Sequence, residues 1–329
     1  MTQTLADILV PIRQEVAEFN RRFRKAMISD VPLVNLIAKY LIRTKGKQIR
    51  PMLVLLSAKA CREVTDASYR AATLVELLHT ATLVHDDVID EADTRRGFAS
   101  IRNLWRNKAG VLMGDYFLAK GLLLTVETSE FHFLNITSTA VRRMSEGELY
   151  QLQKSRQVNL DEASYFKLIG DKTASLIATC CEIGAASTSP TGENLEQREM
   201  LRAYGEAVGI AFQIRDDLFD YEDNSSLIGK PVGADLRDKK LTLPLLYTLS
   251  TLAPKEEQRI RKLIKSGKST EGERKLIMNL VVATGGLDYA RKKGEEYVAK
   301  AQASIASLPD SPSKQSLINF ASYVMERER

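Results

Sequence analysis

The sequence predicts an all-α protein folded as a single-domain bundle of long helices. Apolar residues recur at three- and four-residue steps through most of the chain, as they do on the buried face of a helix. Only 9 prolines and 18 glycines punctuate 329 residues, too few for a fold of many short strands. No Pro/Ser-rich linker, low-complexity tract or internal repeat divides the chain, so one domain over 1–329 is the simplest organisation.

The elements follow in order. Leu5, Ile8, Leu9, Ile12, Val16 and Phe19 share one face of a first helix, which Pro11 begins or kinks. A second helix runs from Pro32 to Thr44, because proline suits a first helical turn. Pro51 opens Met52–Ala60, an apolar run that reads as a buried helix, and Ala67 to about Asp90 is a long helix rich in Ala and Leu. Glu91–Lys108 is charged and carries Arg95, Arg96 and Gly97, so it reads as a loop. Helices are then expected over Gly110–Ser129, Asn135–Lys154, Leu160–Ala186 with a break at Gly170, Leu195–Tyr221 and Leu241–Ser250, and several more to the C-terminus. Thr188–Asn194 and Leu308–Ser313 are turn-rich connectors.

Hydrophobic residues make up 44% and charged residues 27%, an ordinary balance for a soluble globular protein. A formal charge of +5 suits anionic substrates or an anionic surface but is too mild to imply nucleic acid. Cys61, Cys180 and Cys181 are odd in number and include an adjacent pair, which argues against a disulfide framework and for a reducing compartment. His79, His85 and His132 do not pair with them at zinc-ligand spacing. The N-terminal residues lack a secretion signal, and no charge-free apolar run reaches ~18 residues. The expected location is therefore the cytoplasm, with no transmembrane segment.

Two short stretches carry chemistry. Residues 85–90 read His-Asp-Asp-Val-Ile-Asp and residues 213–220 read Gln-Ile-Arg-Asp-Asp-Leu-Phe-Asp. Each contains Asp-Asp-x-x-Asp: Asp86, Asp87 and Asp90, then Asp216, Asp217 and Asp220. On a helix, i and i+4 share a face, so Asp86 stacks with Asp90 and Asp216 with Asp220. Like charges at that spacing cost ~0.2–0.5 kcal/mol per exposed pair, and more nearer a core. Both motifs follow apolar sequence, Ala81–Val84 and Val208–Phe212, unlike the mixed charges of a solvated face. A hard divalent cation resolves the repulsion, because magnesium takes carboxylate oxygens together with substrate phosphates. One such motif would read as a surface cluster. Two, each ending a long apolar helix, read as a paired metal site.

With these motifs in place, the chain resembles the trans-prenyl diphosphate synthase family, the polyprenyl synthetases, from about Pro32 to the C-terminus. The ordered blocks are Gly46-Lys-Gln-Ile-Arg-Pro51, Glu76-Leu-Leu-His79, the first aspartate motif followed by Arg95-Arg-Gly97, Gly147-Glu-Leu-Tyr-Gln151, Lys172-Thr173, Phe212-Gln213 with the second motif, and Gly229–Asp235 through Lys240. The resemblance implies an isoprenoid-synthase type of helical bundle around a central cavity, and a homodimer. It implies that the six aspartates bind magnesium, three ions together with bound diphosphate. It further implies that Arg95, Lys172, Lys230 and Lys240 hold the allylic diphosphate, while Lys47, Arg50, His79 and Arg96 hold isopentenyl diphosphate. Thr173 and Gln213 would sit near the reacting carbons, and Phe212 would wall the second substrate. Taken alone, Lys47 and Arg50 read as solvated charges and His79 as a core histidine, whereas a buried Lys172 needs an anion. The Gly147–Gln151 block suggests helix packing, and Arg215, Glu222, Asp223 and Asp93 have no assigned role.

The reaction so implied is ionisation, condensation and elimination. Preorganised charge stabilises the departing diphosphate, the isopentenyl double bond attacks the allylic carbocation, and the released diphosphate takes the proton. Residues 222–239 would close over the site. Product length follows from the turn before Asp86, where Ala81 and Thr82 are small, with Leu78, Leu77 and Leu74 below them. Open turns there predict a product longer than geranylgeranyl diphosphate, such as a quinone side chain, released with transient membrane contact. An opposing helix could supply a plug from Met144 or Leu152. The alternatives are a short-chain farnesyl or geranylgeranyl diphosphate synthase, a class I terpene cyclase, and a non-catalytic partner subunit. The intact second aspartate motif disfavours the last two.

Overall fold

The computed structural model describes residues 4–44, 46–189, 194–222, 234–267 and 269–328, with the backbone alone at 155–157 and 234. Thr4 caps a short α1 (Leu5–Ile8), and Pro11 lies in the 3-10 turn Val10–Ile12 that leads into α2 (Arg13–Ala26). Ile8, Ile12, Phe19 and Phe23 are buried on the expected apolar face. Proline at the first position starts α3 (Pro32–Arg43), and α4 (Ile49–Cys61) is buried along most of its length. Thr65 caps α5 (Asp66–Ile89), whose middle, including Leu74, Val75 and Leu77, is fully enclosed.

The next segment differs from the sequence expectation. Only the residues up to Ser100 form a loop, closed by the hairpin of β1 (Thr94–Arg95) and β2 (Phe98–Ala99). Arg95 faces Phe98 across a two-residue turn at Arg96 (φ 52°) and Gly97 (φ 79°), a geometry that favours glycine. Helix α6 (Ile101–Glu127) then begins at Ile101, because Ser100 caps it through the Asn103 amide and Ile101 is buried. Trp105 packs edge-on against Tyr40, so the charged residues of 102–108 are the wet side of a helix and not a loop. Arg106 (φ 71°) interrupts that helix with one non-helical residue.

Helix α7 (Phe131–Gln157) is followed by α8 (Glu162–Ile169), a single π-helical turn (Gly170–Ala174) and α9 (Ser175–Ala186). Gly170 therefore widens the helix by one turn and does not break it. Helix α10 (Leu195–Glu222) carries the second aspartate motif at its C-terminal end, as α5 carries the first. The remainder is helical: α11 (Ala234–Arg237), α12 (Leu243–Thr251), α13 (Pro254–Ser266), α14 (Glu271–Ala283), α15 (Gly286–Ser304) and α16 (Pro312–Glu326).

Packing explains where the motifs sit. Helix α5 runs along α6, and α10 lies between α9 and α15. A Cβ added at Gly209 would stand 2.4 Å from the Ala174 Cα, and one at Gly205 would stand 2.6 Å from the Ala178 Cα. These glycines let α10 press its backbone onto the π turn and α9. On the outer side, α6 exposes Leu104, Val111, Leu112, Leu122, Leu123 and Val126. Its mean hydropathy of 1.4 over an 18-residue window makes it long and apolar enough to cross a membrane by length and composition, with 33% of that window buried. Asp115 and Lys120 interrupt the run, so a search for charge-free stretches passes over it.

Candidate active site

Two cavities open beside the ends of α5 and α10. One, of about 580 Å³, is lined by Asp216, Asp217 and Asp220 from α10, Lys172 and Thr173 from the π turn, and Lys240. The other, of about 440 Å³, is lined by Lys47, Arg50, His79, Arg95, Arg96 and Phe212. Every residue that the resemblance links to isopentenyl diphosphate thus faces the second cavity, joined there by Arg95. Phe212 and Gln213 are neighbours on α10, yet Phe212 lines the basic cavity and Gln213 the acidic one. The two cavities therefore adjoin across one turn of a single helix. Lys230 and Asp223 lie outside the described residues.

In the basic cavity, Arg50 donates from Nη1 to the His79 Nε2 at 2.9 Å. Arginine keeps its protons, so Nε2 accepts and the His79 proton is on Nδ1. Burial and the neighbouring Arg50, Arg96 and Arg95 hold His79 well below its ordinary pKa, so the ring is neutral. Burial also lowers Arg50, whose Nε has no partner among the described residues. Such a buried cluster of cations calls for an anion. Gly46 makes room for it, because a Cβ there would fall 2.3 Å from the Arg96 guanidinium.

In the acidic cavity the π turn aims Lys172 at α7, where its Nζ meets Glu148 at 2.7 Å and Gln151 at 3.2 Å. The Gly147–Gln151 block is thus part of the site and not only helix packing. Asp86 and Asp90 line neither cavity; Asp86 is half-buried beside Lys172, and burial together with the nearby Glu148 raises its pKa against the pull of Lys172 and Arg95. Burial lowers the pKa of Lys240, but Asp235 and Asp238 outweigh it and the net shift is upward. Asp220 accepts the Asp235 amide at 3.2 Å.

The two middle aspartates are turned away from their partners' face. Asp87 is buried and accepts from Arg95 Nε at 2.6 Å. Asp217 is buried and accepts from Tyr165 at 2.7 Å on one oxygen and from Gln213 at 2.9 Å on the other. Burial pushes Asp217 up to about 7, against the lowering effect of those hydrogen bonds. Of the six aspartates that the resemblance links to magnesium, Asp87 and Asp217 are thus already engaged by protein donors. Asp86, Asp90, Asp216 and Asp220 share the i, i+4 faces, while Asp87 and Asp217 serve their neighbours.

Residues without a sequence-based role find one here. Asp93 ties down the hairpin loop, accepting from Arg102 at 2.9 Å while its carbonyl takes the Ser100 amide. Arg215 bonds Glu222 at 2.7 Å and donates to the Arg327 carbonyl, and Glu222 also takes Arg291 at 2.6 Å. Arg327, beyond the end of α16, was not anticipated. It lines both cavities, pairs with Asp216 and stacks 4.0 Å over the Phe212 ring. Nothing in the local sequence marks an arginine just past a helix end as a site residue, since only the return of α16 to α10 brings it there.

Ala81, Leu78 and Leu77 are buried, and Thr82 donates to the His79 carbonyl at 2.9 Å. Neither cavity is lined by these residues. Leu152 is exposed and cannot plug the interior, whereas Met144 packs against the core. Gly114 meets His85 and Gly121 meets Leu74 and Leu77, so the register of α6 on α5 sets the fully buried Phe117 at the level of Leu78 and Ala81.

Among the described residues no three acidic, His or Cys side chains converge into a ready metal cage. Pairs of carboxylates fit magnesium nonetheless, because that ion is commonly held by one or two carboxylates with substrate phosphates completing its shell.

The sequence profile of the polyprenyl synthetase family matches residues 31–281. Octaprenyl diphosphate synthase of Escherichia coli K12 is 36% identical, with 96% of this chain and 97% of that protein covered. The all-trans-nonaprenyl-diphosphate synthase (geranyl-diphosphate specific) of Rhodobacter capsulatus is 35% identical, with 98% and 97% covered. A polyprenyl synthase from Caulobacter crescentus, solved with calcium and isoprenyl diphosphate, superposes with a TM-score of 0.89 at 33% identity, covering 99% of each chain.

Proposed function

Because this chain belongs to the polyprenyl synthetase family, we propose that it joins isopentenyl diphosphate head to tail to an allylic diphosphate and continues past geranylgeranyl diphosphate. It is an all-α transferase of prenyl groups, and several of its relatives are named as heptaprenyl to decaprenyl diphosphate synthases. The observation that carries the reading is the pair of adjoining cavities, one lined by the second aspartate motif together with Lys172 and Lys240 and the other by Lys47, Arg50, Arg95 and Arg96, with Gln213 in the first and Phe212 in the second. Two diphosphates held in those cavities would bring their carbon ends together at this seam.

Asp86, Asp90, Asp216 and Asp220 would hold magnesium, which when bound neutralises the diphosphate and makes it a better leaving group. The chain's own cations share that task. Lys172 is anchored by Glu148 and Gln151, so its ammonium is positioned before substrate arrives. Lys240 and Lys230 would add charge at the same end, and Arg95 would move from Asp87 to phosphate. Arg50, His79, Lys47 and Arg96 would grip isopentenyl diphosphate, with Phe212 as its wall. The allylic C–O bond breaks with its electron pair staying on the diphosphate. The isopentenyl double bond supplies the pair for the new C–C bond, and the proton lost from the adjacent carbon passes to the released diphosphate. Gln213 and Thr173 face the acidic cavity where that positive charge develops.

The exposed apolar rows on α6 and on α7, where Phe131 and Leu149 stand out, suit a second copy of the chain. The free thiols Cys61, Cys180 and Cys181 suit a cytoplasmic protein, to be checked by cell fractionation. A long product would supply a quinone side chain and leave through transient membrane contact.

The test incubates the protein with magnesium, farnesyl diphosphate and labelled isopentenyl diphosphate and resolves the products by length. A ladder well beyond geranylgeranyl is expected, and Asp86→Ala or Asp216→Ala should abolish it without unfolding the protein. Ala81→Phe should shorten the product and Phe117→Ala should lengthen it. Release of diphosphate from the allylic substrate with no labelled product would instead identify a cyclase.

A further inference from the structure

Four side chains of the acidic cavity form one hydrogen-bonded line. The Tyr165 hydroxyl donates to Asp217 Oδ2 at 2.7 Å, Gln213 Nε2 donates to Asp217 Oδ1 at 2.9 Å, and Thr173 Oγ1 donates to Gln213 Oε1 at 2.9 Å. All four line the cavity, and Tyr165 and Asp217 are buried. The polarity of the line is fixed from one end. With the Tyr165 hydroxyl donating to Oδ2 and both Asp217 oxygens accepting, the group Gln213 turns toward Asp217 is its NH2. Its carbonyl oxygen is thereby turned toward Thr173 and the cavity. Reversing the amide would oppose an oxygen to a carboxylate and present N–H donors to the substrate.

We infer that Tyr165 is a positioning residue: by holding Asp217 it fixes the amide of Gln213 so that an oxygen, and not an NH2 group, faces the reacting carbons. Three elements meet in this device. Helix α8 supplies Tyr165, α10 supplies Gln213 and Asp217 one turn apart, and the π turn swings Thr173 into reach. The same line gives Asp217 work other than metal binding, since each of its oxygens already has a protein donor. An oxygen dipole aimed at a carbon that becomes positive stabilises the ionised state, and a reversed dipole destabilises it. The inference rests on the prenyl-transfer reading for what the oxygen does, while the orientation rests on the hydrogen bonds of Tyr165, Gln213 and Thr173 with Asp217 accepting on both oxygens.

Two variants test it. Tyr165→Phe removes the donor to Asp217 while keeping the ring. Its kcat should fall about 10–100-fold, the scale of one lost hydrogen bond to a charged group. Both KM values should stay within about twofold. Hydrolysis of the allylic diphosphate relative to prenyl transfer should rise, which general loosening of the fold would not produce. A Tyr165→Phe enzyme that partitions like the wild type overturns the inference. Asp217→Asn is read by calorimetric titration of manganese in the presence of inorganic diphosphate, which needs no turnover. Its cation affinity should stay within about threefold of wild type, while Asp216→Asn loses most of its own. Loss as large in Asp217→Asn as in Asp216→Asn would make Asp217 a metal ligand and overturn the inference, even if Tyr165→Phe failed to fold. A wild-type protein without prenyl transfer would instead sink the underlying reaction and leave the titration result standing.

Discussion

Arg327 and Asp216 show how a single residue can bridge two sites. In the free protein the guanidinium neutralises the first carboxylate of the second motif, with its plane against Phe212 and Phe219. A cation arriving at Asp216 has to displace it. Arg327→Met should therefore tighten magnesium binding roughly 3–10-fold, what ~1 kcal/mol of lost competition converts to. It should also lower the melting temperature of the metal-free protein by about 2–4 °C. Titration calorimetry and a thermal melt read both effects, and a weaker magnesium affinity would mean that Arg327 assists the ion. Asp171 acts by charge in another way. Burial raises its pKa, but Lys167 and Arg143 outweigh that and hold it below the ordinary 3.8. A carboxyl depressed in the folded state stabilises above its unfolded pKa and loses that contribution as pH falls through the folded one. Asp171→Asn should thus cost about 1 kcal/mol at neutral pH, and its melting curve should begin to approach wild type only as pH falls below the ordinary carboxyl value and meet it below the lowered folded-state pKa.

At the scale of elements, the decisive feature is the π turn between α8 and α9. One extra residue in a turn rotates the side chains that follow, and here it sets Lys172 against Glu148 and Thr173 against Gln213. Gly209 is what lets α10 lie close enough for the second contact. Gly209→Ala should push α10 off the π turn, lowering stability by about 1–3 kcal/mol and turnover with it. Chemical denaturation and steady-state rates would show the coupled loss, and unchanged values for both would mean that the backbone can yield. The helices were legible in the sequence because their apolar periodicity is local. The π turn was not, since Gly170 marks a weak point without saying whether the chain breaks or widens there. The helical start at Ile101 was missed for a related reason. Charge density in 102–108 resembles a loop until Trp105 and Ile101 are seen to be packed.

At the scale of the whole molecule, we propose that the outer side of α6 is the face a second copy of the chain covers. Leu112 and Leu123 are 57% and 53% exposed, part of a continuous apolar row that a lone soluble chain would pay for in solvation. Light scattering should give twice the 36.8 kDa chain mass, and Leu123→Glu should return the mass of one chain. A monomeric wild type would leave that face for another partner.

The sequence by itself determined the all-helical class, the two aspartate motifs and the family, because each depends on residue type and spacing along the chain. It could also place the basic residues, since Lys47, Arg50, His79 and Arg96 belong to recognisable blocks. Only the tertiary structure decided which carboxylates face outward and which are clamped by Arg95 and Tyr165, that Glu148 and Gln151 anchor Lys172, and that Arg327 reaches Asp216. Those partners are far apart in sequence. Their meeting depends on helix register and on the close approach of α10 to its neighbours, which no local pattern encodes.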